Sequence, residues 1–110
     1  MDLLEYYTLA VKRGYTLLST HFSFSIDTER LDMMSFYSCV LGQIFGDYFT
    51  GIEKVKPYFT EEPNNPVYYG FRVPARHSVP ECTLEETKKH YHTLTLAWKE
   101  YLLLQAKEEE

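Results

Sequence analysis

The imidazoles and thiols of this chain, the side chains best suited to ligate zinc or to pair as nucleophile and base, are His21, His77, His90, His92, Cys39 and Cys82. A structural zinc needs four nitrogen or sulfur ligands within tetrahedral reach. His90 and His92 stand two apart in a stretch of helical periodicity, so their rings point about 200° apart and cannot share an ion. His77 and Cys82 offer two ligands five residues apart, and no second pair has suitable spacing. No metal or cofactor is therefore expected. A thiol nucleophile needs a base and an orienting group, and nothing beside either cysteine supplies them. Cys39 at a helix start would have a lowered pKa if exposed, but next to Val40 and Leu41 it reads as a small buried hydrophobe. Gly-x-Ser-x-Gly, a phosphate-binding loop, a dinucleotide fingerprint and His-Glu-x-x-His are all absent. Glu61-Glu62 and Glu85-Glu86 read as solvated surface, so no catalytic residue is assigned and a non-enzyme is expected.

The elements that would position these groups are helices. Leu3, Leu4, Tyr7, Val11, Gly14, Tyr15 and Leu18 recur at helical spacing and predict a first helix over about 2–18. A second, over about 39–55, carries the stripe Leu41, Ile44, Phe45, Tyr48, Ile52 and Val55, with Ser35 or Ser38 as candidate cap. Gly42 and Gly46 on its edge suit close packing, within the chain or in a dimer seam. The capping-box pattern Thr83-Leu84-Glu85-Glu86 opens a third helix over about 84–106, with Leu84, Tyr91, Leu94, Trp98, Tyr101 and Leu102 facing the core. Phe22-Ser23-Phe24-Ser25-Ile26 alternates like a half-buried strand, and its mate would be Val67 to Val73, giving a short two-stranded ribbon. All five prolines fall between Val55 and Thr83, which makes that stretch a long loop. The fold class predicted is mainly α, three helices around one core with a small ribbon.

A length of 110 residues allows one domain, 1–110, ending in a frayed acidic tail at 107–110. Two cysteines cannot make a disulfide framework, the first residues lack the positive charge of a signal peptide, and no apolar run approaches about 20 residues. A cytoplasmic protein that makes no use of a membrane is the expectation. Its net charge of -5 argues against nucleic acid, although Lys88-Lys89 and Arg72 with Arg76 form local basic spots.

The third helix carries an unexpected feature. Leu96 and Leu103 fall opposite its core stripe, near His92, and Leu104 and Ala97 lie on a neighbouring strip. Either the proline-rich loop folds over them or they form part of a protein interface, with a second copy or with a foreign partner. Tyr and Arg are interface residues by composition, so Tyr68, Tyr69, Arg72 and Arg76 are further candidates. The motifs Leu31-Asp32-Met33, Cys39-Val40-Leu41-Gly42-Gln43-Ile44-Phe45-Gly46, Gly70-Phe71 and a terminal helix with Leu94 and Trp98 resemble a pattern in short proteins of actinobacteria and their bacteriophages. The resemblance spans roughly residues 31 to 104. It implies an accessory bacterial or phage protein and carries over no site residue. The function expected is binding and modulation of another protein. A small-ligand or nucleotide-sequestering protein is the alternative, and a thiol- or metal-dependent enzyme is a more distant one.

Overall fold

The structure, a computed structural model, describes residues 2–60, 65–74 and 84–108. It is mainly helical: α1 (Leu3–His21), α2 (Val40–Phe45), α3 (Tyr48–Val55) with a 3-10 turn at Lys56–Tyr58, and α4 (Leu84–Glu108). Asp2 starts α1 by accepting the Glu5 N–H at 2.8 Å. Tyr7 meets His90, Gly14 meets Trp98 and Tyr15 meets Tyr101, so α1 and α4 run parallel and side by side. Two parallel neighbours need a long return, and residues 22 to 83 provide it.

The return path wedges a turn between the two long helices. Gly70 sits at φ +74 with the backbone of Ala10 and Val11 against it, and a Cβ added at Gly14 would collide with the Tyr69 carbonyl. The carbonyls of this turn are used in sequence: Arg13 Nε donates to Tyr68 O at 2.7 Å, and the Trp98 indole donates to Gly70 O at 2.6 Å. Behind it, Phe59 stacks on Tyr69 and Phe71 on Trp98, which makes this the centre of the core.

Two predicted elements are corrected. There is no β-ribbon among the described residues. Residues 22–26 are extended and alternate in burial as expected, but 66–70 form a turn closed by Gly70 N–H to Val67 O (3.2 Å) and Phe71 N–H to Pro66 O (3.0 Å). In place of a strand mate, the Gln43 side chain receives the Asp27 N–H (2.8 Å) and donates to Asp27 O and Ser38 O (3.1 Å each). The second correction is that 39–55 is two helices. Gly46, at φ +104, ends α2, and the Asp47 carboxylate accepts the Thr50 N–H at 2.8 Å to start α3. The cap of α2 is Cys39, whose sulfur accepts the Gly42 N–H at 3.3 Å, and neither Ser35 nor Ser38 takes that role. Leu4, placed on the core stripe by periodicity, is exposed. α4 continues through Lys107 to Glu108. Thr83 and its capping box lie outside the described residues. No described helix is long and apolar enough to cross a membrane.

Candidate interaction surface

Residues 31–38 form a non-helical strap that crosses α4 and then turns into α2. Its path is fixed by backbone bonds: Met33 N–H donates to the Thr95 hydroxyl at 2.9 Å, and Ser35 Oγ accepts the N–H groups of Tyr37 and Ser38. Gly42 lies against the Phe36 and Tyr37 carbonyls, with no room for a Cβ, and the Phe36 carbonyl accepts the first N–H of α3, from Tyr48, at 2.8 Å. Leu31 and Met33 point inward and are buried. Met34, Phe36 and Tyr37 point outward where the strap makes consecutive turns, closed by Ser35 N–H to Asp32 O (3.0 Å) and Cys39 N–H to Ser35 O (3.2 Å).

What points outward is apolar. Met34, Phe36, Tyr37 and, from α3, Phe49 are 40%, 55%, 69% and 63% exposed. Phe36 and Phe49 have ring centroids 5.1 Å apart, and Tyr48 completes the group at 5.5 Å from Phe49. Two hollows adjoin there. One, of about 320 Å³, lies between the strap, Phe49, Tyr91 and Arg72. The other, of about 460 Å³, lies along α4 and is lined by Leu31, Met34, His92, Leu96 and Lys99 among others. Met34 and Tyr91 belong to both, so the apolar surface is continuous from Phe49 to Leu96. The patch is the candidate interaction surface; Leu4, Tyr6 and Leu9 on α1 and Leu103 and Leu104 on α4 are exposed apolar side chains outside it.

The candidates read from the sequence fall in different places. His92 and Leu96 are exposed on the α4 hollow, and Arg72 is half-buried in the neighbouring one. Leu103 is exposed farther along α4, beside a separate hollow under residues 22–28. Ala97, in contrast, is core. Tyr68 is half-buried beneath the Arg13 guanidinium, which sits 3.8 Å above its ring. Tyr69 is a correction: it is buried, stacked on Phe59, and its hydroxyl accepts the Thr60 N–H, so it belongs to the core and not to a contact surface. Arg76, His77 and Cys82 lie outside the described residues. The sequence reading missed Met34, Phe36 and Phe49. Their signal was present, because Phe49 falls off the helical stripe and 33–37 is too apolar for a plain turn.

Chemistry elsewhere is muted. Cys39 is buried, and burial pushes its thiol pKa up despite the N–H donors around it, which is opposite to what a nucleophile needs. Burial raises the Tyr48 phenol to about 12, with the nearby Arg72 pulling the other way. Tyr7, fully buried, shares a 2.7 Å hydrogen bond with His90 Nδ1, a satisfied core pair. No three of the described His, Cys, Asp and Glu residues come together as metal ligands would. A cavity of about 400 Å³ lies beside α1, lined by Lys12, Arg13, Thr16, Thr20, His21 and Tyr58 among others, with His21 and Tyr58 stacked 3.9 Å apart. Comparison with protein-family models, with curated proteins and with solved structures finds no match to this chain.

Proposed function

We propose that this chain is a non-catalytic accessory protein, of bacterial or bacteriophage origin, that binds and modulates another protein in the cytoplasm. The observation that carries the reading is the outward-facing Met34, Phe36, Tyr37 and Phe49 group, continuous with Leu96. Leaving four large apolar side chains partly exposed in one place forgoes part of the about 1.5–3 kcal/mol that full burial of each contributes, a cost that fits a surface covered by a partner. The strap that presents them is tied down at both ends by backbone bonds, so little ordering entropy remains to be lost on binding. The test is affinity capture from a host lysate with the parent chain and a Phe36→Asp/Phe49→Asp variant that keeps the parent's circular dichroism and melting. A single protein retained by the parent and lost by the variant supports the reading, and equal recovery by both removes it.

A small-ligand reading rests on a different observation, the 400 Å³ cavity whose lining includes Lys12, Arg13 and His21 and, among its described residues, no acid. A thermal-shift panel of nucleotides and metabolites tests it, with Lys12→Glu as control.

A further inference from the structure

The charged side chains that line the two hollows are mainly cationic, although the chain as a whole is at -5. From Thr87 to Lys99, α4 carries Lys88, Lys89 and Lys99, with His90 and His92, and no acidic residue. Lys88, His92 and Lys99 line the same hollow as Met34 and Leu96, and Arg72 stands at the far end beside Phe49. The acid in that lining, Asp32, is turned onto its own strap, where its carboxylate accepts the Met34 N–H at 3.0 Å. Asp47, at the start of α3, is likewise occupied by the Thr50 N–H and hydroxyl.

Resting on the docking reading above, we propose that this surface receives an acidic amphipathic segment of a partner protein, its apolar side chains in the two hollows and its carboxylates toward Lys88, Lys99 and Arg72. Hollows with apolar and polar walls and cations in the lining match a segment with apolar and acidic faces. The net negative charge of the chain opposes an anionic lipid surface. A nucleic acid would want a broadly basic face, whereas here Met34 and Leu96 occupy the middle of it. The rim charges fix the polarity and sequence of the partner segment more than they add affinity.

The test selects displayed random peptides of about 16 residues on the full chain at about 0.05 M salt. Recovered peptides are then titrated by fluorescence anisotropy against the parent, Phe36→Asp and Lys88→Glu/Lys99→Glu, each variant first shown to melt like the parent. The expected peptides carry net negative charge and lose binding with Phe36→Asp. They weaken roughly tenfold with the double charge reversal, and by a similar factor at about 0.5 M salt. Peptides that depend on Phe36 but are neutral or basic would leave the docking surface standing and overturn its acidic partner. Recovery of no peptide that depends on Phe36 would remove the docking reading itself. Phe36-dependent binding to phosphatidylserine vesicles or to single-stranded oligonucleotides, in place of peptides, would also overturn the proposal.

Discussion

At the scale of single residues, the chemistry-bearing side chains have been absorbed into packing. Cys39 closes the start of α2 with its sulfur and is buried, so its thiol ionises only at raised pH. Because the folded state disfavours the thiolate, the stability Cys39 contributes is present below the ordinary thiol range and falls away as pH rises through and beyond it. Native alkylation followed by peptide mapping should leave the Cys39 peptide unmodified at neutral pH and modify it after denaturation; rapid native labelling would contradict its placement. Trp98 provides the second residue-scale test. Its indole N–H reaches the Gly70 carbonyl at 2.6 Å, and Trp98→Phe would strand that buried oxygen and leave a void. The expected cost is about 2–4 kcal/mol in urea unfolding, and a change near zero would mean that the wedge turn is not held as described.

At the scale of elements, two glycines and one acid decide where helices stop and touch. Gly46 at φ +104 has open space around it, so Gly46→Ala suffers from backbone strain alone, about 1–2 kcal/mol by chemical denaturation. Gly14→Ala fails for the other reason: its methyl would meet the Tyr69 carbonyl, and a loss of about 2–3 kcal/mol or more is expected. The Asp47 cap adds a pH signature. Its bonds to Thr50 hold the carboxyl below its usual pKa, so its contribution is present above the carboxylate range and disappears as pH falls through it. Asp47→Ala and the parent should therefore differ in melting temperature at neutral pH and converge in strong acid. The helices were legible because their apolar stripes repeat at 3.6 residues, and Leu94, Trp98, Val11 and Leu18 are core as that period demands. The break at Gly46-Asp47 was written in the sequence as a stop signal followed by a cap, but an uninterrupted stripe from Leu41 to Val55 masked it. The ribbon was misread because period-2 alternation reports which side chains are buried, not what pairs with the backbone. The Pro66–Gly70 segment closes its own turn, and Gln43 ties down the backbone of Asp27, just past the alternating run. Distance in the chain hid Phe36 and Phe49, which become neighbours only when α3 folds back on the strap.

At the scale of the molecule, the Cα radius of gyration is 13.5 Å, close to the roughly 13 Å expected of a compact chain of this length. The apolar surface from Phe49 to Leu96 is therefore not the by-product of an open structure. Substitution of exposed apolar residues should be cheap for folding, both on this surface and elsewhere: Phe49→Asp or Leu103→Glu is expected to change stability by less than about 0.5–1 kcal/mol, in contrast to the core changes above. The two sites diverge in binding, because Leu103 borders a separate hollow and only Phe49 should matter to the partner contact. The most direct measurement of the central claim is site-specific photo-crosslinking in cells, with a benzophenone side chain placed in turn at Phe36, Phe49 and, as control, the exposed Leu9 of α1. A discrete adduct to one partner protein from positions 36 and 49, with none from position 9, is the result predicted. No adduct from 36 and 49, or the same adducts from all three positions, would contradict a docking role for this surface.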